Sequence, residues 1–213
     1  MNDCDAWQRY PEYRWVFNKL ALSLKMNYDA GPAGTSVFGP GEYVIRPIYN
    51  LSGMGVGAEL KYLDCDNSQI PAGYFWCERF HGDHITVNWE RIEDGFVPVE
   101  AAIGIRTPES PLYKFSKWRL LSNLPPDIRL PGFVSNSIMI DKINTEFIGD
   151  KLIEIHLRWG VDFPTGATEL VPVWHDDGKE KHQHLLKEGW CFQEDFDDAD
   201  GQLENPRLGF FYR

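Results

Sequence analysis

Residues 151–160 read KLIEIHLRWG. Glu154, His156 and Arg158 recur at every second position, with Ile153, Ile155 and Leu157 between them. Successive side chains of a strand point to opposite faces, so this period gathers an acid, an imidazole and a guanidinium on one side. Carboxylates suit Mg2+, and an imidazole nitrogen beside them tilts the choice toward Mn2+. A guanidinium two residues further on is placed to neutralise a phosphate or carboxylate next to the cation. Asp141 stands thirteen residues before Glu154. If FVSNSIMIDKI and KLIEIHLRW pair as a hairpin around the loop NTEFIGD, Asp141 approaches the polar face. Asp141, Glu154 and His156 then form a candidate metal-ligand set. The period alone is equally that of a solvated surface strand, so the weight must come from the rest of the chain.

Several elements have to position these residues. The stretch PEYRWVFNKLALSLKMNY, 11–28, places Tyr13, Phe17, Leu20 and Leu24 at helical spacing behind Pro11 and predicts one helix. EYVIRPIY predicts a strand that delivers Arg46. It runs into the loop NLSGMGVGA, in which Ser52, Gly53, Gly55 and Gly57 allow backbone N–H groups to approach phosphates closely. No GK[ST] follows, so this is not a Walker A loop. AELKYL, YFWCERF and HITVNWE predict further strands with short turns, more antiparallel than parallel. Residues 106–129 concentrate Arg106, Lys114, Lys117, Arg119 and Arg129. The acidic stretch DFDDADGQLE fails the calcium-loop pattern and reads as a turn.

Composition narrows the function. The 213 residues, 43% hydrophobic and 25% charged, are enough for one large domain. A formal net charge of −11 argues against broad nucleic-acid or anionic-membrane binding. No apolar stretch has the length of a membrane span, and the N-terminus has no secretory h-region. Four scattered cysteines form no CxxC pair, which fits a reduced, cytoplasmic setting and argues against a disulfide framework. Cys77 and Cys191 lack the His context of a catalytic thiol and read as buried.

Taken in chain order, the segments resemble the ATP-grasp family. Asn18-Lys19 stands where that family has a DK-like helix start. Arg46-Pro47 followed by SGMGVG matches its strand, cation and flexible glycine loop. WCERFHGDHITV matches its hinge strand, and Asp141 with EIHLR its metal hairpin. The resemblance runs from about residue 13 to about residue 160 and implies an α+β fold, two small lobes of antiparallel sheet clamping a nucleotide. The lobes are expected at 31–95, carrying the glycine loop, and at 1–30 plus 96–213, carrying the metal hairpin, within a single domain.

The resemblance also assigns roles. Lys19, Arg46 and Ser52 fall among the nucleotide contacts, with Arg46 on the phosphates under a flap of residues 53–57. Cys77, Glu78, Arg79 and Phe80 fall at the adenine hinge, and His84 near the ribose position. Asp141, Glu154 and His156 fall at the metal, Mg2+ or Mn2+. Arg158 faces the reacting carboxylate, with Arg106 a second candidate catalytic cation and Lys114 a further nucleotide contact. His156 replaces the family's usual Asn. The implied activity is ATP-dependent activation of a carboxylate as an acyl phosphate, followed by attack of an amine or thiol. ATP-grasp enzymes usually carry an additional N-terminal domain at the acceptor site. The chain is thus a minimal enzyme, a domain completed by a partner protein, or a degenerate relative that serves as a non-catalytic nucleotide-sensing or interaction module.

Overall fold

A computed structural model describes residues 1–53, 55–64, 69–107, 110–160, 163–194 and 206–213. The acidic stretch DFDDADGQLE lies outside the described residues. Among the described residues no helix is long and apolar enough to cross a membrane.

Two antiparallel sheets form the frame. The smaller has the order β1-β4-β2-β3, from β1 (Ala30–Pro32), β2 (Gly41–Pro47), β3 (Glu59–Leu63) and β4 (Tyr74–Glu78). Val37, Ile45, Leu63, Ile70 and Trp76 fill its core. The larger has the order β11-β12-β10-β7-β6-β5-β8-β9. Its central strands are β5 (His84–Ile92), β6 (Gly95–Ile105) and β8 (Lys142–Ile148), with β9 (Lys151–His156) at one edge. The other half is β7 (Lys117–Leu120), β10 (Glu169–Trp174), β12 (Arg207–Tyr212) and the edge strand β11 (Cys191–Glu194). β5 thus belongs to the larger sheet, and residues 79–83 connect it to β4 of the smaller one.

The back of the larger sheet is the main core. Ile85, Val87, Trp89, Ile143, Phe147, Leu152, Ile155 and Leu157 are buried there against Ala6, Val16, Phe17 and Leu22 of the N-terminal helices. The predicted 11–28 helix is in fact broken. A 3-10 segment, Pro11–Phe17, ends at Asn18, which caps α2 (Lys19–Lys25) by accepting from Ala21 N–H at 2.8 Å. α1 (Asp3–Arg9) precedes it, closed by a reciprocal Asn2–Asp5 capping box. The short helices α3 (Gly132–Ser137) and α4 (His184–Lys187) complete the set. Cys77 is buried, but Cys191 is exposed because β11 is an edge strand.

The hairpin differs from expectation in two ways. NTEFI is not loop: β8 runs to Ile148, and Gly149 (φ 58°) with Asp150 forms the tight connection to β9. A bulge between Phe147↔Leu152 and Glu146↔Glu154 leaves Ile153 as the extra residue. Leu152 therefore joins the core, while Ile153 turns to the cavity side with Glu154. The strict alternation read across 153–158 holds only from Glu154 onward.

The two sheets meet at residues 79–83 and at one ion-paired junction. A Cβ on Gly82 (φ 124°) would lie 2.8 Å from the Gly149 Cα, and Gly149 N–H donates to Asp83 O at 2.8 Å. Only glycine fits so close a backbone approach with positive φ. Arg46 of β2 crosses to β9, donating to Ile153 O at 3.3 Å and to Glu154 Oε1 at 3.4 Å.

Candidate active site

A cavity of about 620 Å³ lies over the front of the larger sheet, below the smaller one. Antiparallel register lays out its floor as rows of facing side chains. Glu154, Glu146, Thr86 and Ala102 form one row, on β9, β8, β5 and β6. His156, Asn144, Asn88 and Glu100 form the next. In that second row Asn144 Nδ2 donates to Asn88 Oδ1 at 2.9 Å, and Asn88 Nδ2 donates to Glu100 Oε2 at 2.9 Å. On the other flank His84, Phe115 and Trp118 pack ring against ring, at 4.4–5.7 Å between centroids.

The carboxylates and imidazole that come together are Glu146, Glu154 and His156, with one donor atom of each within 4.8 Å of the others. His156 Nε2 lies 3.6 Å from Glu146 Oε1 and 3.6 Å from Glu154 Oε2. Asp141 does not take part. It is exposed just before β8, where its carbonyl accepts from Arg91 N–H, five residues or about 17 Å of extended strand from Glu146. Because NTEFI is strand, Glu146 occupies the place expected of Asp141. Glu146 was missed for that reason, although the period-2 pair Asn144/Glu146 before Gly149-Asp150 carried the signal.

Charges around this cluster are closely matched. Glu154 is ion-paired with Lys19 and with Arg46, at 3.4 Å from the latter. Glu146 accepts from His84 Nε2 at 3.0 Å. Behind His156 stands Asp3, the first residue of α1 and 1% exposed. Its carboxylate lies 2.7 Å from His156 Nδ1 and accepts from Arg158 Nε at 2.8 Å. Nothing in MNDCDA distinguishes Asp3 from Asp5. Burial would raise the Asp3 pKa, but His156 and Arg158 hold it down at about 2. Burial would lower that of His156, but Asp3 and Glu146 lift it to about 9. Glu146 is likewise held well below the usual carboxylate range, because His156 and His84 outweigh its burial.

The donor set, two carboxylates and one imidazole Nε2, fits a divalent cation of the Mn2+ type. With Nδ1 held by Asp3, Nε2 is the nitrogen that faces Glu146 and Glu154, and it would ligate a cation on giving up its proton.

The other expected site residues are mostly at the cavity. Arg46, Ser52, Gly53 and Gly55 line one wall. Arg46 is 8% exposed, and its Nε has no hydrogen-bond partner among the described residues. Cys77, Glu78, Arg79 and Phe80 line a second wall, and His84, Arg106, Glu154, His156 and Arg158 also face in. The Cys77 thiol is pushed up to about 11 by burial, so it is not a nucleophile. Arg79 is paired with Glu42. Burial, then Arg79, lowers the pKa of Arg106, which has no carboxylate partner among the described residues.

Three residues stand apart from the wall. Lys19 lies behind Glu154 rather than in the cavity lining. Gly57 is a turn residue whose Cβ would meet Tyr74 Oη at 2.7 Å. Lys114 turns away, with Nζ 2.7 Å from Asp176 Oδ1 and 3.4 Å from Asp177 Oδ2.

No family model and no curated protein sequence matches the chain. Solved structures do. Carboxyaminoimidazole ribonucleotide synthase from Aspergillus clavatus, complexed with ATP, superposes with a TM-score of 0.59 at 7% identity, covering 95% of this chain and 69% of that one. N5-carboxyaminoimidazole synthetase from Staphylococcus aureus, complexed with ADP, gives 0.58 at 10% identity, covering 92% and 67%. A protein from Archaeoglobus fulgidus assigned to the ATP-grasp superfamily gives 0.45 at 12% identity, covering 77% and 59%. The chain thus spans about 59–69% of the length of these proteins. At such identities the likeness concerns the fold, and with its two antiparallel sheets around one cavity the chain has the ATP-grasp fold.

Proposed function

We propose that the chain is an ATP- and divalent-metal-dependent ligase that activates a carboxylate as an acyl phosphate for attack by an amine or thiol. The observation that carries this reading is the convergence of Glu146, Glu154 and His156 on the floor of a cavity whose walls bring Arg46, Arg106, Arg158 and the glycine loop. The complexes of similar folds with ATP and with ADP support a nucleotide in the same cleft.

In this reading Glu146, Glu154 and His156 would hold Mg2+ or Mn2+, which would supply charge neutralisation on the transferring phosphoryl group. Arg46, whose Nε has no partner among the described residues, would bind phosphate oxygens beside Ser52, Gly53 and Gly55. The hinge 77–80 and the His84–Phe115–Trp118 rings flank the base and ribose. Arg158 orients the acceptor carboxylate. A carboxylate oxygen attacks the γ-phosphorus and ADP departs. The nucleophile then attacks the acyl carbon, loses its proton, and phosphate leaves with the C–O bond pair. No nucleophilic side chain is needed, and the protein's contribution is position and field.

A second reading has one observation in its favour. Lys19 and Arg46 already neutralise Glu154, an arrangement compatible with nucleotide binding without metal. Titration calorimetry with ATP and ADP, each with Mg2+, Mn2+ or EDTA, separates the two, with wild type beside Glu154→Gln. Metal-dependent micromolar binding weakened by the substitution supports the ligase. Binding indifferent to metal and to the substitution supports a non-catalytic nucleotide module. A folded protein that binds neither nucleotide overturns both.

A further inference from the structure

The residue that sets the orientation of the cluster comes from the far end of the chain. Asp3 is separated from His156 by 153 positions, yet its carboxylate touches both the ring and the guanidinium of Arg158. Both carboxylate oxygens are used: Oδ2 on His156 Nδ1 at 2.7 Å and Arg158 NH2 at 3.4 Å, Oδ1 on Arg158 Nε at 2.8 Å. At 1% exposed, Asp3 is a buried anion, which is costly unless both partners stay in place. The capping box closes α1 around it, so the carboxylate is carried by an ordered helix start rather than a loose end. Arg158 is further fixed by donating from NH1 to Trp159 O at 3.1 Å.

We infer that Asp3 is the positioning residue of the site, locking His156 with Nδ1 toward itself and Nε2 toward Glu146 and Glu154, and holding Arg158 beside them. The inference rests on the metal-dependent reading above and adds a residue to it. An imidazole can ligate through either nitrogen and can turn about χ2. A histidine in this place therefore needs an outer partner that selects the nitrogen and stops the rotation, and an acceptor carboxylate does both. Asp3 is the only group among the described residues that contacts Nδ1. Asp5, two positions on, is used by the capping box and does not reach the ring.

The test uses the full chain with ADP present, and free Mn2+ read from the aquo-ion electron paramagnetic resonance signal. Wild type, Asp3→Asn, His156→Asn and the double variant are compared. Asp3→Asn is expected to weaken Mn2+ about 10- to 100-fold, while its far-ultraviolet circular dichroism and cooperative urea unfolding remain as in wild type, readouts that loss of fold would move. The double variant is expected to bind Mn2+ no more weakly than His156→Asn, since Asp3 acts through the ring it no longer faces. Undiminished Mn2+ affinity in Asp3→Asn overturns the inference and leaves the metal site standing, as does full additivity in the double variant. Wild type that binds ADP but no Mn2+ overturns the metal reading itself. Nitrogen-15 spectra of the Zn2+-loaded wild type need no variant to fold. A proton on His156 Nδ1 with Nε2 ligated supports the inference, and the reverse assignment overturns it.

Discussion

Glu146 stands directly opposite Glu154 across the β8–β9 pair, with His156 Nε2 3.6 Å from both carboxylates. Two like charges face each other at this cross-strand position, which is unfavourable unless cations intervene. Lys19, Arg46, His84 and His156 do so. A divalent cation binding between the carboxylates would enter a site that already holds positive charge in its place.

Glu146 and Asp141 are separable by substitution. Glu146→Gln is expected to weaken Mn2+ binding at least about tenfold, since it removes one of three ligands. Asp141→Asn is expected to leave it within about twofold, its carboxylate being exposed beyond the start of β8. Mn2+ titration of the two variants side by side checks this, and an equal loss in both would return Asp141 to the site.

Stability should depend on pH through Asp3 and His156. His156 keeps its proton to about 9 in the folded chain against an ordinary 6.5, so its contribution is complete below pH 6.5 and lost as pH rises through about 9. Asp3 is lowered from 3.8 to about 2, so its contribution is complete above pH 3.8 and lost as pH falls through about 2. Metal-free protein should therefore melt highest in the window between. From pH 6 to pH 10 wild type should lose roughly 5 °C more in Tm than His156→Asn does. Scanning calorimetry across that range is the measurement, and parallel profiles would contradict it.

The joint between the sheets is sensitive at Gly82. Alanine there would carry a Cβ 2.8 Å from the Gly149 Cα at φ 124°. The neighbour is backbone and cannot move aside, so Gly82→Ala is expected to cost about 1–3 kcal/mol. Chemical denaturation gives the number. Unchanged stability would mean that the two turns separate freely.

Lys114 and Arg46 should behave differently. Lys114→Met removes pairs with Asp176 and Asp177, of which Asp176 is 54% exposed on its side chain. It should cost no more than about 1 kcal/mol and leave ADP affinity within about twofold. Arg46→Met strips a buried cation from the cavity wall and from Glu154. ADP affinity should fall at least about tenfold, while the stability loss should stay near about 1–3 kcal/mol, because Lys19 still pairs with Glu154. Calorimetric binding and urea unfolding distinguish the two variants.

Local pattern determined much of this protein. Alternation and β-branched content placed β2, β3, β4 and β5 close to where they lie, because side-chain period follows directly from strand geometry. Arg46, Ser52, Gly53, Gly55, residues 77–80, Glu154, His156 and Arg158, singled out by their order in the chain, line one cavity. Tertiary structure decided the rest. The helix expected over 11–28 breaks at Asn18 because a side-chain cap there competes with the helix backbone, a choice that apolar spacing does not record. The bulge at Ile153 is a matter of pairing between two strands, so it moves one residue to the opposite face without any mark in either strand alone. The same register, set by a two-residue turn, brought Glu146 rather than Asp141 opposite Glu154. Asp3 lay furthest from view, since its carboxylate finds His156 and Arg158 only when α1 closes over the edge of a sheet whose last strand lies some 150 residues later, and contacts of that range have no local signature.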